Sequence, residues 1–364
     1  MTKITKLFTV IASSLLMSVA AVAGELNVTG SAKASYLVNG GVADSNNVGL
    51  GISNELKLSA SGELDNGYTW NYHMELDPNG GGTTDADDSS LTINTNGMGT
   101  IGIFDSEGGL STELAYGIGA LGVGVDYANN MASSGHKAMN WGLDVSSYPN
   151  VQYHLPADIL PYGLTAKVGY APNTADGDSN DFKSAGATSS NVGAAGRALV
   201  QYQLTAAPID GLKISADYAH GDKQEGRHNQ ELTGGNVSAQ YAAGNFKIGY
   251  MQGYKETGKL DYANGNGSSF DSYFYNAVGL EFAVNDAVSV SVGRTENEGT
   301  DKGTIATGKT TMTKQVVTAE SDTYQLAYNI GGATLGLFRV DTTNSEFTTG
   351  RSATKTIASI AMEF

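Results

Sequence analysis

Residues 355–364 form the stretch Lys-Thr-Ile-Ala-Ser-Ile-Ala-Met-Glu-Phe, in which the side chains alternate in character. One set is apolar and consists of Ala358, Ile360, Met362 and Phe364. The other set is mostly polar and consists of Lys355, Ser359, Ala361 and Glu363. Successive side chains of a strand point to opposite faces, so this stretch predicts a strand with one apolar and one polar face. A strand of a soluble β-sandwich alternates in the same way. The rest of the sequence therefore has to distinguish a strand that faces lipid from a strand of a soluble sandwich.

The same alternation recurs along the whole chain and predicts 16 strands. The strand over 332–342 is the least regular, because Arg339 is in phase with the apolar Leu335 and Leu337. The predicted strands span about 25–38, 48–64, 68–76, 89–96, 98–104, 141–154, 162–172, 191–205, 211–220, 233–243, 245–255, 270–284, 286–296, 320–330, 332–342 and 351–364.

The joins between these strands alternate between short and long. The short joins lie at 65–67, 96–97, 155–161, 206–210, 244, 285 and 331. An even number of strands with short turns at one end and long loops at the other is typical of outer-membrane barrels. A sheet that spans a membrane must also close, because an open edge would leave backbone groups unpaired in lipid. The fold class predicted is all-β: a closed, antiparallel, up-and-down transmembrane β-barrel that forms one domain over residues 24–364.

Residues 1–23 have the pattern of a secretory signal peptide. Lys3 and Lys6 give a basic start, residues 7–22 are mostly apolar, and Ala21-Val22-Ala23 is a small-residue cleavage site. The mature chain is therefore expected to begin at Gly24 and to be exported to the outer membrane. No other stretch approaches the roughly 18 consecutive apolar residues that a membrane helix needs.

The composition favours a strand-rich, acidic protein. The chain has 37 acidic and 21 basic residues, a formal net charge of −16, and no cysteine. Such a surface repels a phosphate backbone, so nucleic acid is not an expected partner. Without cysteine the chain has no disulfide framework and no thiol chemistry. The 48 glycines, 19 tyrosines and only 6 prolines suit strands, turns and aromatic girdles.

Over essentially its whole mature length the sequence resembles the general bacterial porin family. The resemblance is carried by the count of 16 strands, by Phe364 at the end of the last strand, and by a long third loop after a short fifth strand. It implies that the third loop folds into the barrel and narrows the pore, and that the protein is a homotrimer. A barrel with this many strands is wide enough to hold water.

The resemblance also suggests which residues form the pore constriction. Acids of the third loop would face a basic wall from the early strands. The acids are Asp105, Glu107, Glu113 and Asp126, and the basic residues are Lys33, Lys57 and His73. Fixed charges in a narrow constriction act strongly on a passing ion, and acids favour cations. The sequence departs from the family in having lysines and a histidine in place of an arginine cluster. It also has Glu107-Gly108-Gly109 where well-known members have Pro-Glu-Phe-Gly-Gly.

Three further stretches match known binding motifs but lack features that those motifs need. Residues 303–310 fit the phosphate-binding P-loop pattern and residues 117–122 fit G-x-G-x-x-G, but neither lies in the strand–loop–helix context that the motif needs. Residues 176–181 resemble a calcium loop, although Asp181 stands where such a loop needs glycine. A second acidic cluster contains Asp85, Asp87 and Asp88. No cofactor is expected, and a weak calcium site in the extracellular loops is the alternative to an ordinary solvated loop.

The function expected is passive diffusion of ions and small hydrophilic solutes through a water-filled channel, with a mild preference for cations. The partners expected are outer-membrane lipid, further copies of the chain and the solutes themselves. No enzymatic activity is expected, since the five histidines include no H-E-x-x-H and the chain has no G-x-S-x-G. Three alternatives stay open: a substrate-selective channel, a barrel-embedded hydrolase, and a structural barrel plugged by its own third loop.

Overall fold

The chain folds into a closed antiparallel barrel of 16 strands, which confirms the predicted fold class. The computed structural model describes residues 26–41, 48–78, 84–85, 88–105, 107–112, 118–121, 143–157, 159–172, 198–221, 232–256, 270–301, 304–305, 312–313 and 315–364. The barrel strands are β1 Leu26–Gly40, β2 Val48–Glu63, β3 Thr69–Pro78, β4 Ser89–Asn94, β5 Thr100–Asp105, β6 Asn150–His154, β7 Thr165–Ala171, β8 Leu199–Ile209, β9 Leu212–Gly221, β10 Leu232–Ala243, β11 Phe246–Glu256, β12 Phe270–Ala283, β13 Val288–Asp301, β14 Val316–Asn329, β15 Ala333–Thr343 and β16 Ser352–Glu363.

Each strand pairs with its neighbours in sequence, and the last strand pairs with the first. In β1 and β16 the register runs from Ser31 opposite Glu363 to Gly40 opposite Thr354. The pairing ends with two backbone hydrogen bonds between Gly30 and Phe364, of 2.7 and 2.9 Å. The stretch from which the barrel was predicted therefore forms its closing strand. Among the described residues, no helix is long and apolar enough to span a membrane.

The two faces of the barrel differ in polarity. The outward face exposes large apolar side chains on strands all round the barrel, among them Val28, Leu50, Ile52, Ile214, Tyr218, Ile248, Tyr250, Val292, Leu326 and Leu337. The inward face carries polar side chains that are nonetheless buried, among them Gln152, Gln201, Ser238, Ser291, Thr323 and Gln325. An exposed apolar belt of this size needs an apolar environment such as lipid. Because these inward-facing polar side chains are buried, another part of the protein must cover them from within the lumen.

Asparagine–glycine pairs make two of the short turns, as the sequence predicts. Asn96 and Gly97 both have positive φ, of 48° and 92°, which suits the right-handed twist of the strands that they connect. At the preceding turn Gly67 has a φ of 81°, and the Asn66 side chain accepts a hydrogen bond from the N–H of Tyr68 at 3.0 Å. Asn96 also donates to the carbonyl of Gly67, so the two turns lie side by side at one end of the barrel.

Four predicted strands differ from the observed ones by four residues or more at one end. The strands predicted over 286–296 and 320–330 are longer toward their loop, since β13 continues to Asp301 and β14 begins at Val316. The strand predicted over 141–154 is β6 at only 150–154, since residues 145–147 form a 3₁₀ turn that is capped by Asp144. Of the strand predicted over 191–205, residues 191–197 lie outside the described residues; the described strand runs from Leu199 to Ile209, so it continues into the short join predicted at 206–210. The register shifts there by one residue against β9, and Pro208 is accommodated at this bulge because a bulge spares a ladder hydrogen bond.

The outward face of β13, β14 and β15 changes from apolar to charged near the long-loop end. Arg294 contacts three acids: Glu296 at 3.2 Å, Glu320 at 2.6 Å and Asp322 at 3.2 Å. On β15, Arg339 lies on the outward face in phase with the apolar leucines and pairs with Asp341 at 2.9 Å. The irregular alternation of this strand in the sequence thus marks the level at which the apolar belt ends.

Candidate functional site

The third loop connects β5 and β6, and its described parts, residues 107–112, 118–121 and 143–149, lie inside the barrel against its wall. Its first part is held by two carboxylates. The N–H groups of Leu110 and Ser111 donate to Asp144 at 3.1 and 2.7 Å. The N–H of Thr112 donates to Asp217 of β9 at 2.5 Å. Asp217 also accepts from the Asn236 amide of β10, at 2.8 and 3.0 Å, so it ties the loop to two strands at once.

The second described part of the loop, residues 118–121, which we call the loop tip, is held in the same manner by another part of the wall. The N–H groups of three consecutive residues each donate to a side chain of a successive strand: Gly119 to Glu281 at 3.1 Å, Ala120 to Ser291 at 3.0 Å and Leu121 to Gln325 at 3.1 Å. Those acceptors lie on β12, β13 and β14. A buried backbone donor without a partner is costly, and the wall supplies the acceptors that the loop does not supply to itself.

Apolar contacts fix the loop between these hydrogen bonds. Leu110 packs in a buried cluster with Leu143, Val145, Ala171, Leu199 and Ala219. Ile118 packs with Met251, Tyr275 and Ala277 of β11 and β12. Leu121 packs beside Phe338, Val340 and Ile357 of β15 and β16. The described parts of the loop therefore extend across the lumen face from β7 to β15 and cover the polar residues that are buried there.

Of the four predicted loop acids, two are in described parts of the chain. Glu107 lies against β3, where its carboxylate, the Glu75 carboxylate and the His73 imidazole have ligand atoms within 4.8 Å of one another. Asp105 is the last residue of β5, opposite Ser89, and is not in that group. Glu113 and Asp126 lie outside the described residues.

Two of the predicted basic residues, Lys57 and His73, contact acids within the early strands. Lys57 forms ion pairs with Glu55 and with Glu75, the latter at 3.1 Å. His73 lies 3.9 Å from Glu75. Lys33 is half-buried on the same inward face of β1. The structure thus brings Glu107, His73 and Lys57 together around Glu75, at the root of the third loop.

Two groups of residues bear on the question of a metal. His73, Glu75 and Glu107 offer one nitrogen and two carboxylate ligands that could hold a divalent cation, although the Lys57 ammonium already contacts Glu75. The acidic stretch predicted as a calcium loop, residues 176–181, lies outside the described residues, as does Asp87. Asp88 of the second acidic cluster lies at the lumen. The extracellular calcium site stays a prediction.

A cavity of 640 Å³ remains between the third loop and the lumen wall. Glu107, Asp88 and Asp144 line one side of it. The other side is formed by two lysines, Lys167 of β7 and Lys213 of β9, with four hydroxyl side chains, Thr165, Thr205, Ser215 and Ser238. The sequence analysis did not assign either lysine. Alternation in the strands predicted over 162–172 and 211–220 does place both on the polar face, which is the signal that could have found them.

A third lysine of the wall is paired. Lys247 of β11 contacts Glu281 at 3.0 Å, and Glu281 is the acid that also accepts from Gly119 of the loop tip. Lys247 and Lys213 are each the second residue of their strand, so both lie near the short-turn end of the lumen. Glu281 therefore both pairs with a lysine of the wall and holds the third loop.

No protein-family model and no curated protein matches the sequence. Solved structures of outer-membrane proteins do match the fold. The anion-selective porin from Comamonas acidovorans has a TM-score of 0.62 at 14% identity, over 94% of this chain and 100% of that one. OmpT of Vibrio cholerae with its loop L8 deleted has a TM-score of 0.63 at 14% identity, over 94% and 99% of the two chains. The trimer form of Vibrio cholerae OmpT has a TM-score of 0.57 at 14% identity, over 94% and 100%. The chain has the barrel fold of the outer-membrane porins.

Proposed function

We propose that the protein is an outer-membrane porin, a water-filled channel for passive diffusion of ions and small hydrophilic solutes. One observation carries the proposal. The closed barrel has an apolar outer face and a polar lumen, and the described parts of the third loop lie within that lumen beside a cavity of 640 Å³ lined by charged and hydroxyl side chains. Such an arrangement separates lipid from water and leaves a narrowed aqueous passage.

In this proposal the third loop sets the size limit and its charges weight the passage of ions. Glu107 lies at the loop root beside Glu75, and the whole chain has a net charge of −16. Both features favour a mild preference for cations, since acids in a constriction attract them. The barrel fold alone does not fix this preference, because the neighbour from Comamonas acidovorans is described as anion-selective.

The proposal includes export by a cleaved signal peptide, location in the outer membrane, assembly as a homotrimer and no enzymatic turnover. The apolar outer face supports the location. One structural neighbour was solved as a trimer, which supports the assembly.

The extent of the third loop favours one rival function, a barrel plugged by its own loop. The described parts of the loop contact the wall from β7 as far as β15, so they extend along much of the lumen face. A plugged barrel would insert into a bilayer without conducting. The two functions therefore differ in one measurable property.

The test is to insert the purified, folded protein into a planar bilayer under a gradient of KCl. Discrete conductance steps in groups of three and a reversal potential on the cation side are the expected results. Glu107→Gln should then move the reversal potential toward the anion side. Insertion without conductance would overturn the channel and favour the plugged barrel, whereas an anion-side reversal potential in the unaltered protein would overturn only the cation preference.

A further inference from the structure

Lys167 and Lys213 lie in the same lumen cavity on strands separated only by β8. Lys167 is paired in register with Gln203 of β8, and Lys213 with Gln240 of β10. Lys167 is half-buried and Lys213 is exposed to the lumen. The wall between the two lysines therefore belongs to β8 and to the facing part of β9.

The two ammonium groups differ from the other lysines described above. Lys57 and Lys247 contact carboxylates at 3.1 and 3.0 Å, whereas within the described residues neither Lys167 nor Lys213 forms an ion pair. Two like charges that share a cavity repel each other, and the repulsion is relieved when an anion binds between them. The pair therefore presents positive charge that the described wall does not compensate.

Two of the three acids that line the cavity, Asp144 and Glu107, are held by groups other than the lysines. Asp144 accepts hydrogen bonds from the N–H groups of Leu110 and Ser111, at 3.1 and 2.7 Å, and from Ser146 at 3.0 Å. Glu107 lies in the group with His73 and Glu75 and accepts from its neighbour Gly108 at 3.2 Å. These carboxylates bind the loop backbone and β3, so they remain at one side while the lysines face the open cavity from the other.

Hydroxyl groups line the wall around the lysines. Thr165, Thr205, Ser215 and Ser238 all line the cavity, and Thr205 and Ser215 are in contact at 3.1 Å. A hydroxyl can donate one hydrogen bond and accept others, and an ammonium donates charge-assisted bonds to carboxylate or phosphate oxygens. A cavity of 640 Å³ is also within the range that small-molecule sites occupy, about 300–1,000 Å³.

We propose that this cavity is a binding subsite for small oxyanions, the carboxylate or phosphate groups of hydroxylated solutes, with Lys167 and Lys213 as its charged ligands. The inference rests on the proposed channel function and names a class of solute that the channel retains in transit. A local anion subsite is compatible with a preference for cations. The charge along the whole passage determines the ion preference, whereas only the two lysine side chains determine binding at the subsite.

The experiment measures KCl conductance in planar bilayers while inorganic phosphate or succinate is added, with glucose as an uncharged probe. The expected result is a saturable decrease of current with each oxyanion and none with glucose. The double variant K167Q/K213Q should raise the half-blocking concentration about tenfold, and each single variant should raise it less. The charge-reversed K213E, exposed to the lumen and so not required for folding, should abolish the block.

The matched control is K247Q, which removes a lysine near the same end of the lumen and keeps Glu281 as the acceptor for the Gly119 N–H. It should leave the oxyanion block unchanged. An unaltered protein that conducts KCl but shows no saturable block would overturn the subsite and leave the channel standing. A block that survives in K167Q/K213Q would also overturn it. Absence of any KCl conductance would overturn the channel function itself, so the two failures are distinguishable.

Discussion

The backbone N–H of Thr112 donates a hydrogen bond of 2.5 Å to the carboxylate of Asp217, a residue 105 positions later in the chain. Asp217 is buried on the lumen face of β9 and accepts at the same time from the Asn236 amide of β10. One carboxylate thus determines where the first part of the third loop crosses two strands of the wall.

Replacing Asp217 by alanine should release this part of the loop. The Thr112 N–H and the Asn236 amide would lose their acceptor, at a cost of about 1–3 kcal/mol for each buried group left unpaired. We expect higher single-channel conductance and more current noise, together with a lower temperature of unfolding.

The matched control for Asp217→Ala is Ser215→Ala, two residues earlier on the same face of β9. Ser215 contacts Thr205 of the wall at 3.1 Å, and its side chain forms no hydrogen bond with the described parts of the third loop. It should leave the KCl conductance unchanged. Equal conductance in Asp217→Ala and the unaltered protein would show that this hydrogen bond does not position the loop.

Gly336 of β15 provides a second test, at the loop tip. A Cβ atom at Gly336 would lie 2.8 Å from Cδ2 of Leu121 and 2.7 Å from the Ser359 hydroxyl. Overpacking of this kind typically costs about 1–3 kcal/mol, and the loop tip is the neighbour that can move. Gly336→Ala should therefore displace the tip and change the single-channel conductance.

Gly51 of β2 is the control for Gly336→Ala, because it has no atom within 4 Å of the corresponding Cβ position. Gly51→Ala should conduct like the unaltered protein. If both alanine variants conduct alike, the tip does not rest against β15 in the membrane.

The barrel could be predicted from the sequence because lipid on one side and water on the other impose an alternation of two residues on every strand. The same alternation wrongly predicted that the strand ending at residue 154 begins at residue 141. There Val145 packs inward against Leu110 in a 3₁₀ turn of the loop, and its polar neighbours imitate the alternation of a strand. Pattern alone does not distinguish a strand from an irregular segment that lies against the inner wall.

The candidate site was less accessible to prediction. Alternation places Lys167, Lys213 and Asp217 on the lumen side, but it does not give the register between strands. Which lumen side chains meet depends on that register and on the course of a loop whose partners are more than 100 residues away. The predicted grouping of Glu107 with His73 and Lys57 relied on the family resemblance, and their role in a constriction stays a prediction.

The processing site is tested independently of the barrel. If residues 1–23 are a signal peptide, the protein isolated from outer membranes should begin at Gly24, as measured by the mass of the intact chain. Replacing Ala23 by a bulky residue such as leucine should block cleavage, because the cleavage site requires small side chains. Ala20→Leu, outside the small-residue site, is the control and should leave processing intact. An isolated chain that still carries Met1 would contradict the prediction.

The outward ion cluster on β13 and β14 gives the last test. Arg294 is the cation shared by Glu296, Glu320 and Asp322, at 2.6–3.2 Å. Arg294→Ala would leave three acids facing one another on an exposed surface. Such pairs are screened by solvent, so the expected loss of stability is only about 1 kcal/mol and should be larger at low salt.

Hard divalent cations bind carboxylate oxygens, and Mg²⁺ should therefore restore the thermal stability of the Arg294→Ala variant. Arg339→Ala, which removes the partner of Asp341 alone, should lose less stability and gain less from Mg²⁺. The measurement is the unfolding temperature of the barrel by circular dichroism, and equal responses of the two variants to Mg²⁺ would show that the three acids do not act as one cluster.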